Sequence, residues 1–166
     1  MYIHRMPTEE RSPYCKCLYF SANALARSIT QLAEEAFAPT GLGPSYAFVL
    51  MAVAARPGIS AGELSETMQL KPSTVTRLLD NLEQRLLLTR NLVGRSITVR
   101  STPEGEKLAE QAKTAWRQLY ERYVALLGEA QARQLTGQAY AAHEILSGIR
   151  SVKRQDKNKG EKQDGK

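Results

Sequence analysis

The chain is poor in the residues that carry out chemistry. Among 166 residues it has two cysteines, Cys15 and Cys17, and two histidines, His4 and His143. Two thiols one residue apart are too few for a disulfide framework or a structural zinc site, and neither histidine is spaced to complete one. No metal and no cofactor is therefore expected. No Ser-His-acid set and no glycine-rich phosphate loop occurs, so acid–base and nucleophilic catalysis lack their material and an enzyme is not expected. No apolar run approaches the roughly 18 residues that span a bilayer. The opening MYIHRMPTEERSP has no apolar middle of the kind a secretory signal needs. The expectation is a cytoplasmic protein with no membrane partner.

What the chain does have is basic charge in one place. The net charge is +6, but residues 1–70 carry 5 basic and 6 acidic groups and residues 101–150 carry 6 of each. The excess lies in residues 71–100, with 6 basic groups (Lys71, Arg77, Arg85, Arg90, Arg95, Arg100) against Asp80 and Glu83, and in residues 151–166, with 6 against 3. A basic patch confined to one module suggests a polyanionic partner.

Residues 1–12 read as a flexible arm broken by Pro7. Ser12-Pro13 is expected to cap a long helix of about 24 residues, in which Leu18, Ala22, Leu25, Ile29, Leu32 and Ala36 form a heptad-like seam. Pro39 stops it, and Thr40-Gly41-Leu42-Gly43 is a loop. Pro44 opens a second helix. Ser60 and Glu63 have capping-box spacing for a third, and Lys71-Pro72 breaks the chain before a fourth. Period-2 alternation then predicts two strands, Leu88 to Leu92 and Ile97 to Arg100, around a Val93-Gly94-Arg95 turn. Thr102-Pro103 starts another helix with the seam Leu108, Ala112, Ala115, Leu119, Tyr123 and Leu126. After Gly128, a last helix carries Leu135, Ala139, Ala142, Leu146 and Ile149. Residues 152–166 are Lys-, Asn-, Gln- and Asp-rich and read as a disordered basic tail. Narrow apolar seams need partner helices, so a homodimer is expected, with residues 13–38 and 102–150 as its helical dimerisation region.

The helix from Pro72 to about Arg85 carries the functional signal. Val75, Leu78, Leu79 and Leu82 fall at i, i+3, i+4 and i+7, one buried stripe. The opposite face carries Ser73, Arg77, Asp80, Asn81 and Gln84, with Thr74 and Thr76 flanking. Short hydroxyls, an amide and a guanidinium suit a DNA groove, whereas a plain solvated face more often carries Glu and Lys. Helix, turn, helix and hairpin over residues 44–101 is the pattern of a winged helix-turn-helix. Arg77 can then bond guanine bidentately in the major groove, and threonine methyls can touch thymine methyls. Ser73 or Thr74 can hold a phosphate at the helix N-terminus. The hairpin loop offers Arg95 to the minor groove or adjacent phosphates. Asp80 opposes close phosphate contact. It accepts from a base amine or holds a neighbouring arginine. Lys71, Ser73, Thr74, Thr76, Arg77, Asn81 and Arg95 are the expected DNA-contacting set.

Leu70-Lys71-Pro72-Ser73-Thr74-Val75-Thr76-Arg77-Leu78 closely resembles the recognition-helix entry of the MarR family of bacterial transcription regulators. Leu82-Glu83-Gln84-Arg85 and Thr102-Pro103-Glu104-Gly105 resemble its next two hallmarks, and the likeness covers most of the chain. The resemblance implies a mostly α fold with a small β-hairpin, flanked by N- and C-terminal dimerisation helices. It also implies a homodimer on a pseudo-palindromic double-stranded operator, acting as a repressor released by a small molecule or an oxidant. The chain departs from the pattern in two places. Leu86 stands where family members commonly have glycine, and the segment Asn91 to Ser96 is a few residues shorter than the usual wing and lacks its aspartate.

Cys15-Lys16-Cys17-Leu18-Tyr19-Phe20-Ser21 resembles the start of the organic-hydroperoxide-sensing members, which implies Cys15 as a redox-sensing thiol. That subgroup's second tyrosine is replaced here by Ile29. The competing reading is two small apolar residues at the head of a dimer helix. Tyr19, Phe20, Phe37, Tyr46, Phe48, Trp116, Tyr120 and Tyr123 could line an effector pocket or belong to the core. The alternative function is a dimeric interaction module of the same fold without specific DNA binding.

Overall fold

The structure, a computed structural model, describes residues 12–94 and 96–160. Six helices and three short strands follow one another as α1 (Leu18–Phe37), α2 (Pro44–Ala55), β1 (Ile59–Ser60), α3 (Ala61–Thr67), α4 (Pro72–Gln84), β2 (Leu88–Val93), β3 (Ser96–Ser101), α5 (Pro103–Leu127) and α6 (Glu129–Gly160). The described residues part into two compact units after Tyr120. No single described helix is long and apolar enough to cross a membrane.

The first unit is built around α2, whose Ala47, Val49, Leu50, Met51 and Val53 are all buried. Leu64 of α3, the α4 stripe Val75, Leu78, Leu79 and Leu82, and Leu88 and Val99 of the sheet complete the core. The α4 stripe is the one its spacing predicts. The sheet has three antiparallel strands in the order β1-β3-β2, one more than the hairpin expected. Ile59 pairs with Val99, and the Gly58 N–H donates to the Val99 carbonyl at 2.8 Å. A two-residue strand is too short to show alternation, so only the lone Ile59 between Gly58 and Ser60 could have signalled it.

Helix α1 starts at Leu18, not at Pro13. The Ser12 hydroxyl accepts from the Tyr14 N–H two residues on, and the Cys15 and Cys17 N–H groups donate to the carbonyls of Ser12 and Tyr14. A local Ser turn thus wins over the helix cap. Of the expected α1 seam only Ala36 is buried, beside Ala33 and Phe37, while Leu18 is 73% and Leu25 37% exposed.

Four joints set the remaining geometry. The Ser60 hydroxyl accepts from the Glu63 N–H at 3.2 Å and the Glu63 carboxylate accepts from the Ser60 N–H at 3.0 Å, completing the capping box. At the exit of α4, Leu86 adopts φ +58° itself, and the Leu87 N–H reaches back to the Leu82 carbonyl at 3.0 Å. This is the left-handed helix exit that glycine ordinarily makes. The Thr102 hydroxyl accepts from the Gly105 N–H and donates to the Leu86 carbonyl, so one side chain caps α5 and ties it to that exit. Gly105 allows the approach, because a Cβ there would stand 1.9 Å from the Leu87 carbonyl oxygen. Gly128, at φ +82°, separates α5 from α6.

In the second unit α6 continues through Gly160, so residues 152–160 are helical where a structureless tail was expected. Their Lys, Arg and Gln residues have good helix propensity and no proline intervenes. The rest of that tail and nearly all of the arm (residues 1–11) lie outside the described residues. Tyr140, Ile145 and Leu146 are more than half exposed on α6.

Candidate nucleic-acid interface

The chain turns from α3 into α4 through Gln69, at φ +52°, and Lys71 is the N-cap of α4 with extended backbone. No side chain caps this end. Pro72 has no N–H to satisfy, and the Thr74 and Val75 N–H groups both bond to the Lys71 carbonyl. Among the described residues, the positive end of the helix dipole is therefore not capped by a carboxylate or hydroxyl.

The structure places Lys71, Ser73, Thr76 and Arg77 on the exposed surface of this helix, with Thr74 and Asn81 half-buried. Arg77 makes no ion pair among the described residues, which leaves its guanidinium available to a ligand. The Thr76 hydroxyl is engaged: it donates to the Pro72 carbonyl at 3.0 Å, so what Thr76 presents outward is its methyl and its oxygen lone pairs. Arg95, the expected wing contact, lies outside the described residues.

Not all of the local basic charge faces outward. Arg90 of β2 donates from Nη1 to Asp80 Oδ1 at 2.7 Å and from Nε to Glu83 Oε2 at 2.8 Å, and its backbone N–H donates to Glu83 Oε1 at 3.1 Å. Hydrogen bonds from Arg90 hold the Glu83 carboxyl below the ordinary carboxylate range, against the opposing effect of desolvation. Of the two roles open to Asp80, holding an arginine is the one realised. Arg85 is occupied as well, donating from Nη1 to the Gly41 carbonyl at 3.2 Å. The Arg100 guanidinium lies over Gly58. Sequence spacing could not separate these engaged arginines from Lys71 and Arg77, because the partners lie on other elements.

The wing is a two-residue hairpin in which Val93 pairs with Ser96 and Leu92 with Ile97. Gly94, at φ +62°, supplies the left-handed residue that such a loop needs. The predicted alternation holds only at its base: Leu88 is buried, Arg90 half-buried, and Leu92 is 75% exposed at the tip.

Cys15 and Cys17 are both free thiols on the exposed stretch before α1, not on a helix as expected, and the Ser21 hydroxyl donates to the Cys15 carbonyl at 2.9 Å. Phe37 packs tilted on Phe48 with centroids 5.5 Å apart, and Phe48 meets Trp116 edge to face at 5.9 Å, which joins α1, α2 and α5. An open cleft of about 280 Å³ lies beside them, lined by Ala36, Pro39, Thr40, Gln111, Thr114, Ala115 and Gln118. None of the eight aromatics lines it; its walls are small residues and neutral amides.

Residues 40–95 match the MarR family. The chain is 29% identical over 120 residues to the HTH-type transcriptional repressor MdtR of Bacillus subtilis (strain 168), covering 70% of this chain and 77% of that one. Its fold is similar to that of CouR from Rhodococcus jostii RHA1 bound to p-coumaroyl-CoA, at 24% identity and TM-score 0.67 over 80% of this chain and 95% of that one. It is also similar to S. aureus MepR in complex with DNA, at 20% identity and TM-score 0.66 over 79% and 97%. The matched stretch spans the α3–α4 pair and β2, the same elements that the geometry picks out, and over it the chain is similar to the MarR family of winged helix-turn-helix proteins.

Proposed function

We propose that the protein is a cytoplasmic, non-enzymatic transcriptional repressor that binds a pseudo-palindromic operator as a homodimer. The observation that carries this reading is α4: a helix with one face buried and an uncapped N-terminus. Its other face offers an unpaired arginine among short polar side chains. In this reading Arg77 bonds a guanine edge in the major groove, Thr76 packs its methyl on a thymine, and Lys71, Ser73 and Thr74 hold phosphates around the helix N-terminus. Asn81 completes the face, and Arg95 serves the adjacent groove. Residues 13–38 and 102–150 form the dimerisation region, in keeping with Leu18, Leu25, Ile145 and Leu146, which a single chain leaves exposed.

Release by a small molecule fits the cleft between α1 and α5, whose mostly apolar lining, with neutral amides and hydroxyls among it, suits an uncharged and largely apolar ligand. Release by an oxidant would act at Cys15, and loss of cumene hydroperoxide sensitivity in Cys15→Ser distinguishes the two.

The test is selection of bound duplexes from a random pool, followed by affinity measurements on the recovered site. An inverted repeat is expected, and Arg77→Ala should weaken binding by roughly 1–3 kcal/mol and relax preference at one base in each half-site. Binding that stays weak and indifferent to sequence, with Arg77→Ala without effect, would instead mark an interaction module of the same fold.

A further inference from the structure

The carboxylates of α4 stand where a DNA-reading helix should not have them. Counting about 100° per residue, Asp80 lies on the stripe of Ser73, Arg77 and Gln84, one turn beyond Arg77. Its side chain is 47% exposed and that of Glu83 37%. A bare carboxylate so placed repels a phosphate backbone over a Debye length of about 10 Å, well beyond direct contact. Lys71 and Arg77 alone would leave α4 and its N-cap with no net charge to offer a polyanion.

Arg90 changes this balance. Its side chain, only 25% exposed, lies across both carboxylates with separate nitrogens, and its own backbone N–H takes the remaining Glu83 oxygen. The arrangement is more elaborate than bracing needs, since Thr102, Leu86 and the sheet already fix the position of β2. We infer that Arg90 is the internal counter-ion of the reading helix, a positioning residue that offsets one of the two negative charges of Asp80 and Glu83, so that a duplex meets Lys71 and Arg77 opposed by one residual charge rather than two. This rests on the DNA-binding reading above. Arg90 itself touches no nucleotide; it acts through the two carboxylates, holding them against β2 and reducing their field.

The experiment uses the full chain and end-labelled mixed-sequence duplex DNA, so that phosphate electrostatics rather than base preference is read, with anisotropy followed across a salt series. Wild type should bind in a salt-dependent way. Arg90→Gln should weaken binding by about tenfold at low salt, and the neutral triple variant D80N/E83Q/R90Q should return to within about threefold of wild type. A bracing role predicts the opposite for the triple variant, which has lost every contact. Asp80→Asn alone, which keeps Arg90 on Glu83, should bind about threefold tighter than wild type at low salt, and it reads the same charge effect if Arg90→Gln unfolds. The inference is overturned if Arg90→Gln folds and binds like wild type, if the triple variant is no tighter than Arg90→Gln, or if Asp80→Asn binds more weakly than wild type. Wild type that shows no salt-dependent binding brings down the DNA-binding reading itself, a result visible before any substitution is made.

Discussion

Single residues here do work that their type alone would not suggest. Leu86 occupies a left-handed conformation at φ +58° with its side chain 76% exposed, so it bears the backbone penalty of that region and gains little burial in return. Leu86→Gly is therefore expected to stabilise the protein by about 0.5–1 kcal/mol. The strain relieved exceeds the extra flexibility given to the unfolded chain. A rise in denaturant midpoint at unchanged slope is the signature; a fall would show that Leu86 packs in the assembled protein. The substitution of leucine for the usual glycine was legible in the sequence, but not its outcome. Sequence could say that the exit was unusual. Only the backbone shows that the left-handed turn is kept and the side chain bears it. The same limit applies to the arginines. Lys71 and Arg77 were legible as outward-facing from helical periodicity, which is a local property. Arg85 and Arg90 were not legible as bonded within the protein, since their partners sit 44 residues away at Gly41 and on the neighbouring α4.

At the scale of the element, the helix starts explain most of what could be read in advance. Ser60 with Glu63 and Thr102 with Pro103 are short-range signals whose geometry follows from backbone valence, and both caps form as spaced. Ser12-Pro13 has the same composition, yet the serine closes a turn on Tyr14 instead. No sequence rule of caps distinguishes the two outcomes, because the choice depends on what the next turn packs against. The α3 capping box also makes a pH prediction. Hydrogen bonds from the Ser60 N–H and hydroxyl, then the Arg56 guanidinium at 2.7 Å, lower the Glu63 pKa from 4.5 to about 2. A depressed carboxyl contributes stability that is fully present above about pH 4.5 and is lost as pH falls toward 2. Glu63→Gln should accordingly be less stable than wild type at neutral pH, with the gap closing across that window. Melting temperatures of the two proteins from pH 6 to pH 2 check this, and curves that stay parallel throughout would remove Glu63 from the acid response.

For the whole molecule, the exposed apolar side chains decide the expected assembly. Leu18 and Leu25 on α1, and Ile145 and Leu146 on α6, are large hydrophobes in open view on a single chain. Heptad spacing announced Leu18, Leu25 and Leu146 in the sequence, but not Ile145. It did not announce that Leu18 and Leu25 stay exposed among the described residues. Leu25→Glu and Leu146→Glu should each shift sedimentation from dimer toward monomer and weaken operator binding with it, because two half-sites are then read independently. If wild type already sediments as a monomer at micromolar concentration, the dimer proposal is wrong and the seams need another occupant.

One small contact has a mechanical meaning. Thr40 forms part of the wall of the cleft, Gly41 follows it directly, and the carbonyl of Gly41 holds the guanidinium of Arg85 at the far end of α4. The Gly41 carbonyl shares its peptide unit with the Leu42 N–H, which donates to the Thr40 hydroxyl at 3.1 Å, so the carbonyl cannot swing freely without releasing that bond. The cleft and the helix that faces outward are thus joined in series by one peptide unit and one hydrogen bond. Any object that displaces the cleft wall pulls on a short tether, and the other end of that tether is the recognition helix.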